Sequence, residues 1–295
     1  MTRAFLPNAD VKTELIAFDG LSGSIQGIVF HPPPSNEKVE VAIIFVHGVE
    51  HFWFLGPTMF LAPALAAAGY TTMGYNGTHS GLTFRHSRFE DAVTEINYAV
   101  AFMKSRGFQR IILVGHSLGT PIIERYAGSN PDETLEAIIL LGPHDNLPEV
   151  TRSSLLGPEL YEDFRAKCKS LVADGCGDEL SILPYRPPAV IITSAKTFLS
   201  YRDIETSLAD VRDCLGNISV PMLIMFDPMD NIHGLGKTTL RQDIAISIQQ
   251  KVSKARVTIK TVPSIAGVTP VQAHSFLGNE LRVIENCRDW LNDVC

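Results

Sequence analysis

The sequence has few of the features that mark metal, nucleotide or nucleic-acid sites. Its 295 residues contain no His-Glu-x-x-His or comparable ligand spacing, which argues against a bound metal. No glycine-rich dinucleotide or phosphate loop is present, so we expect no cofactor. The net charge is −7 and the basic residues form no run, which disfavours binding to nucleic acid or to an anionic membrane.

Paired cysteines and long apolar runs are also missing. The five cysteines include no Cys-x-x-Cys pair, so we expect reduced thiols at Cys168, Cys176, Cys214, Cys287 and Cys295. No segment approaches the roughly 18 apolar residues that a membrane span needs, and residues 1–18 do not resemble a secretory signal. We therefore expect a cytoplasmic protein with no membrane segment. Without repeats or low-complexity stretches, the length fits one domain with an insertion.

Apolar segments with the length of strands alternate with longer segments of helical character. The strand-like segments are residues 25–30, 41–46, 71–75, 111–114, 137–141, 220–226 and 256–262. Helix-like segments such as 57–68 and 88–106 separate them. This alternation predicts an α/β fold with a mostly parallel, twisted sheet of about eight strands, flanked by helices.

The alternation stops after Gly142-Pro143 and resumes at Val220. Between them lie several helical pieces and a proline-rich turn at 184–188. We expect residues 147–216 to form a helical cap inserted after the sixth strand, over a core made of 1–146 and 217–295. Such a cap would lie above the strand ends and control access to a site there.

The segment Gly115-His116-Ser117-Leu118-Gly119 places a serine on a tight turn between a predicted strand and a predicted helix. This context is typical of a nucleophile elbow, in which two glycines allow the turn to lift the serine hydroxyl above the sheet. Ser117 is therefore the candidate nucleophile. By itself the pattern is weak evidence, because glycine is common and the motif is short.

A serine nucleophile needs a histidine base and an acid that orients it. His274 is the candidate base, because it lies in a Gly- and Pro-rich loop after the last predicted strand. Asp230, which follows the strand at 220–226, is the favoured acid. Asp227 could instead cap the turn before it, and Asp145 is a more distant alternative. The order serine, acid, histidine is that of the nucleophile-elbow enzymes.

Acyl transfer also needs N–H donors for the oxyanion. The predicted strand at 41–46 ends in His47-Gly48-Val49, and the backbone N–H groups of Val49 and Leu118 are the candidate pair. We interpret His47 as a structural residue of this loop, since the donors require no side-chain chemistry.

Together these residues resemble the α/β-hydrolase family, and specifically a serine hydrolase with a helical cap. The resemblance extends over nearly the whole chain, from the His47-Gly48 loop through the Ser117 elbow to Asp230 and His274. The segment 75–81 looks like a variant of the Gly- and His-rich loop of many relatives, without their usual arginine. That departure leaves substrate preference open.

Two apolar segments are candidates for the wall of a substrate pocket. One holds four large rings beside the expected oxyanion site, at His51, Phe52, Trp53 and Phe54. The other is the cap segment 191–201, with Phe198 and Tyr201. In both cases packing in the protein core is an alternative, because aromatic side chains dominate cores as well as pockets.

The favoured function is hydrolysis of a carboxylic ester or lactone of a small or medium apolar substrate, through an acyl-enzyme. The same triad could act on a thioester, an amide or a carbon–carbon bond. A ligand receptor without catalysis is the alternative from another class, since a fold does not determine a function. The expected partner is a small molecule, and monomer and homodimer are both compatible with the sequence.

Overall fold

A sheet of eight strands organises the chain in a computed structural model that describes residues 10–36, 40–129, 131–184, 190–231 and 240–294. The described strands are β1 Lys12–Gly20, β2 Gly23–His31, β3 Val41–Val46, β4 Thr71–Tyr75, β5 Arg110–His116, β6 Leu135–Leu141, β7 Leu180–Pro184, β8 Val190–Ser194, β9 Met222–Phe226 and β10 Val257–Thr261. The large sheet has the order β1-β2-β4-β3-β5-β6-β9-β10. β2 runs antiparallel to both of its neighbours, β1 and β4, and the other described pairs of this sheet are parallel. The predicted mostly parallel sheet is confirmed.

Helices cover both faces of this sheet. The described α-helices are α1 Thr58–Ala67, α2 Phe89–Ser105, α3 Gly119–Ser129, α4 Leu147–Val150, α5 Pro158–Ala173, α6 Ala195–Arg202, α7 Leu240–Lys251, α8 Pro270–His274 and α9 Glu280–Val294. Every residue of β3 is buried. Alternate residues of a strand point to opposite faces: Ile44 packs in one core cluster with Ile96 of α2, and Ile43 packs in the other with Leu61 of α1. Strands buried on both faces explain the continuous apolar runs in the sequence.

The strand and helix bounds differ from the predicted ones mainly at the ends. The segments 41–46 and 71–75 match β3 and β4, whereas β5 and β6 begin one or two residues earlier than predicted and β5 also ends later. Strand β1 was not predicted. It is an edge strand in which Ile16 and Phe18 are the buried residues, and its polar neighbours break the apolar run.

The segment between β6 and β9 contains a β-hairpin as well as helices. β7 and β8 pair antiparallel, and their hairpin lies between α5 and α6. This differs from the purely helical cap that the sequence predicts. Residues 185–188 of the proline-rich turn lie outside the described residues. The division into a core of 1–146 and 217–295 and a cap of 147–216 remains a prediction.

Two further expectations concern reduced cysteines and membrane-spanning segments. Cys168, Cys176, Cys214 and Cys287 are free, and Cys295 lies outside the described residues. Among the described helices, none combines the length and the apolar character that crossing a membrane requires.

Candidate active site

Ser117 lies on the turn between β5 and α3, at the carboxyl end of a central strand. Its φ of +54° is in the left-handed region, which a residue with a side chain adopts at a cost. The glycines around it leave no room for a side chain. A Cβ at Gly119 would lie 2.1 Å from the carbonyl oxygen of Val46, and one at Gly115 would lie 2.5 Å from that of Gly119. The turn is therefore held by close backbone contacts.

His274 and Asp230 form a buried hydrogen-bonded pair. His274 is the last residue of α8, a short helix that begins with a capping box of Thr269 and Gln272, where the sequence predicts a loop. Its Nδ1 lies 2.7 Å from Oδ2 of Asp230, which follows β9. Burial by itself would raise the pKa of Asp230. The charge of Arg241 and the interaction with His274 outweigh it and hold that pKa well below its usual range.

The two alternative acids have other partners. Asp227 accepts a hydrogen bond from the N–H of Met229 at 2.9 Å and another from the hydroxyl of Ser264, as expected of a residue that caps a turn. Asp145 accepts from the hydroxyl of Ser247 at 2.8 Å. Of the three candidate aspartates, Asp230 is the one bonded to His274 within the described contacts.

The end of β6 brings the three candidates together. The carbonyl of Leu141 accepts the N–H of Ser117 at 3.0 Å. The next residue, Gly142, has φ +61°, and a Cβ there would lie 3.1 Å from the ring of His274 and 3.3 Å from Oδ2 of Asp230. Ser117 and the Asp230–His274 pair therefore both lie against the end of β6, at the edge where open α/β sheets place their ligands.

Val49 and Leu118 line a small cavity with Ser117, of about 30 Å³. A Cβ at Gly48 would lie 3.2 Å from Cβ of Ser117, so the loop after β3 runs directly against the nucleophile candidate. Over the residues that the structure describes, the N–H groups of Val49 and Leu118 donate to no protein acceptor. Two donors thus remain beside the serine.

Buried histidines shape the loop that carries Val49. His47 Nε2 lies 2.9 Å from the hydroxyl of Ser80, and its carbonyl lies 3.2 Å from Nε2 of His79, whose ring stacks on that of His47. Burial lowers the pKa of His47 to about 4, so it is neutral near pH 7. The contacts of His47 hold the loop after β3 in place, and its neutral ring adds no charge to the site.

Comparison with known proteins identifies the family of this chain. A family model described as serine aminopeptidase, S33, matches residues 37–263. The chain belongs to this family of α/β hydrolases. It is therefore an enzyme of the hydrolase class. No curated protein sequence matches it.

Solved structures similar to this serine aminopeptidase family member establish its fold. The structure of Est1E from Butyrivibrio proteoclasticus with bound ferulic acid has a TM-score of 0.69 at 19% identity, covering 95% of this chain and 98% of that one. The α/β hydrolase GrgF from Penicillium sp. sh18 has a TM-score of 0.69 at 14% identity, covering 96% and 99%. A thermostable carboxyl esterase from Bacillus coagulans, in complex with glycerol, has a TM-score of 0.64 at 13% identity, covering 96% and 98%.

The pocket candidates of this family member lie in different surroundings. Tyr201 lines the cavity beside Ser117, together with Phe84, His144, Leu147 and Arg202. Phe198 packs with Tyr161 and Phe164 in a small separate cluster of the inserted segment. That position corresponds to the core alternative for Phe198.

The aromatic loop after β3 is likewise divided. The ring of His51 stacks 6.1 Å from that of His116, close to the site. Phe52 lines an open cleft of about 470 Å³, together with residues of β2 and of the segment after β4. The ring of Phe54 stacks on that of Phe52, with 5.2 Å between the ring centres. Trp53 packs edge-on against Phe54. Of these four rings, none lines the small cavity at Ser117 as described above.

Arg241 is a charged residue of the site that no motif in the sequence marks. Its side chain is 1% exposed, and its Nε–H donates to Oδ2 of Asp230 at 2.8 Å. A second guanidinium nitrogen donates to the carbonyl of Pro143 and lies 3.3 Å from both ring nitrogens of His144. A single arginine near the start of a helix is normally solvent-exposed, and only the tertiary structure shows that this one is buried. In the described part of the chain, no group of side chains is arranged to hold a metal.

Proposed function

We propose that this hydrolase cleaves a carboxylic ester or lactone through an acyl-enzyme, with Ser117 as nucleophile, His274 as base and Asp230 as the acid that orients it. The observation that carries the proposal is the 2.7 Å bond between His274 Nδ1 and Asp230, next to a serine held in left-handed backbone geometry. An ionised carboxylate only accepts hydrogen bonds, so His274 carries its proton on Nδ1 and Nε2 is left as the base.

The reaction follows from these roles. His274 Nε2 takes the proton of Ser117 as Oγ attacks the acyl carbon. The negative charge that develops on the carbonyl oxygen is stabilised by the N–H groups of Val49 and Leu118. His274 then returns the proton to the leaving alcohol, and a water molecule activated by the same base releases the acid.

The cavity lining supports an ester over a peptide N-terminus. An aminopeptidase binds the free ammonium group of its substrate, for which a carboxylate is the natural partner. Within the described chain, the cavity at Ser117 is lined by no aspartate or glutamate, and its one formally charged residue is Arg202. Part of the lining is apolar, which suits an uncharged acyl group; the apolar residues are Val49, Phe84, Leu118 and Leu147.

Two of the similar structures agree with this choice but do not carry it. One of them contains ferulic acid and another is described as a carboxyl esterase. Identities below 20% transfer no substrate, so the chemistry of the cavity carries the choice.

The test combines a fluorophosphonate probe with p-nitrophenyl esters of increasing acyl length. We expect wild type to be labelled and to turn over short and medium esters. Ser117→Ala should lose labelling and about 10⁴-fold or more in kcat/KM, since one triad residue is missing. Ser105→Ala, on an exposed helix end, is the control and should behave as wild type.

Retention of labelling and turnover in Ser117→Ala would contradict the proposed nucleophile. Wild type that is labelled but hydrolyses aminoacyl p-nitroanilides rather than esters would show a peptidase. Ligand-induced thermal stabilisation with neither labelling nor turnover would indicate a receptor.

A further inference from the structure

Two hydrogen-bond donors converge on one carboxylate oxygen at the base of the site. Oδ2 of Asp230 accepts the Nε–H of Arg241 at 2.8 Å and the Nδ1–H of His274 at 2.7 Å. A terminal nitrogen of the guanidinium lies 3.5 Å from Nδ1 of His274. All three side chains are buried, so water screens their charges weakly. The histidine therefore has both a negative and a positive neighbour.

We propose that Arg241 is a positioning residue that extends the activity of this enzyme to lower pH, by offsetting the charge of Asp230 at His274. This inference rests on the proposed function, in which His274 must be unprotonated to accept the proton of Ser117. It assigns a catalytic effect to a residue that does not touch the substrate.

The effect follows from the signs of the charges. Asp230 alone would stabilise a protonated His274 and so keep the base out of action until the pH is raised. Arg241 repels the protonated ring at short range and cancels part of that attraction. Loss of the positive charge of Arg241 should therefore move the acidic limb of the pH–rate profile to higher pH.

Other titratable groups also face His274. His116 lies at the end of β5, with its Nε2 2.9 Å from the carbonyl of His274 and its ring centre 4.8 Å from that ring. His51, in the loop after β3, has its ring centre 6.1 Å from that of His116. His144 follows β6 and contacts Arg241, and its ring centre lies 6.5 Å from that of His274. Burial lowers the pKa of both His116 and His51, which favours the neutral forms of these two rings.

A purely structural role for Arg241 predicts a different result. Its bonds to Pro143 and its contact with His144 fix the chain after β6, and losing them would reduce the rate. Such a loss lowers the rate by one factor at every pH. A charge effect moves the acidic limb of the pH profile, which separates the two roles.

The experiment measures kcat/KM for a neutral p-nitrophenyl ester from about pH 5 to about pH 9, for wild type, Arg241→Gln and Arg241→Lys. We expect the midpoint of the acidic limb to rise by about one pH unit in Arg241→Gln. Arg241→Lys keeps the charge and should stay within about 0.3 units of wild type, although its shorter reach lowers the plateau.

A second pair of variants covers the case in which Arg241→Gln does not fold. Asp230→Asn together with Arg241→Gln leaves no buried charge without its counter-charge, and its profile is compared with that of Asp230→Asn alone. The acidic limb of the double variant should lie at higher pH than that of Asp230→Asn, because only the double variant lacks the positive charge of Arg241.

If the variants that lack Arg241 are active and the acidic limbs of their pH profiles do not move, the inference is overturned and the proposed function stays intact. The proposed function would be overturned if wild type showed no Ser117-dependent probe labelling and no Ser117-dependent ester turnover. The inference would then fall with it.

Discussion

Glu124 places a carboxyl group inside the helix that follows Ser117. It is fully buried on α3, and within the described residues neither of its carboxyl oxygens has a hydrogen-bond partner. Burial, followed by the charge of Asp145, raises its pKa well above the usual value of 4.5. The folded protein therefore holds the proton of this group to higher pH than the unfolded chain does.

This difference makes a contribution of defined sign to stability. The pKa of Glu124 is higher in the folded protein than in the unfolded chain. Glu124 therefore lowers the free energy of unfolding least below pH 4.5, and lowers it progressively more as the pH rises above 4.5. Glu124→Gln is neutral at every pH. We expect the melting temperature of this variant, relative to that of wild type, to rise by roughly 3 °C from about pH 5 to about pH 8. This is the effect of about 1 kcal/mol in a chain of this size.

Thermal unfolding followed by circular dichroism measures that gain. Glu133→Gln, at an exposed position with no ion pair described, is the matched control and should show the same pH dependence as wild type. Parallel curves for Glu124→Gln and wild type would show that Glu124 does not titrate differently in the two states.

At the scale of elements, the turn from β5 to α3 depends on contact between backbones. A side chain at Gly119 would meet the carbonyl of Val46 in β3, an atom that cannot rotate away. We expect Gly119→Ala to lower the free energy of unfolding by about 2 kcal/mol or more and to reduce fluorophosphonate labelling. Urea unfolding and labelling measure the two effects.

The control for this change is another helical glycine with room around it. A Cβ at Gly216 would have its nearest contact at 3.6 Å, so Gly216→Ala should change stability by about 0.5 kcal/mol or less. Equal, small effects at the two glycines would mean that the turn adjusts to a side chain.

The elements also show which parts of the fold the sequence can predict. The central strands are apolar on both faces, and segments 41–46 and 71–75 were predicted with their observed bounds. Edge strand β1 and the hairpin of β7 and β8 were missed. Several side chains whose exposure is described in these strands face solvent, so the apolar pattern that marks a buried strand is weak there.

The same reasoning applies to the site. Ser117, Asp230 and His274 were chosen from local signals, namely a glycine-bounded turn and polar residues after strands. The structure bonds Asp230 to His274 and places both at the end of β6, which also contacts Ser117. The helical turn before His274 could have been found, because Thr269, Pro270 and Gln272 have the spacing of a capping box. The contact of Arg241 with Asp230 joins separate elements, and no local pattern encodes it.

At the scale of the whole molecule, the structure predicts unequal local stability. The cores on the two faces of the sheet share its central strands, whose side chains are almost wholly buried. The hairpin of β7 and β8 exposes Leu180, Ile182 and Ile192, and a two-stranded hairpin is marginal by itself. We expect amide protons of β3 and β5 to exchange slowest and those of the hairpin to exchange at least about 100-fold faster.

Hydrogen exchange followed by mass spectrometry on short peptides tests this order. The peptides of α9, which packs on the sheet through Val283, Cys287, Trp290 and Leu291, provide an internal reference of helical protection. Equal protection of the hairpin and the central strands would show that the inserted segment unfolds only together with the sheet.

The sequence separation at the site also matters during synthesis. His116, next to the serine, and His274 lie 158 positions apart in the chain and touch only after the last strand has joined the sheet. A ribosome therefore exposes the serine long before the residue that would activate it. If the proposed triad is correct, every incomplete chain is chemically silent, and reactivity towards esters becomes a signal that translation has passed the final strand.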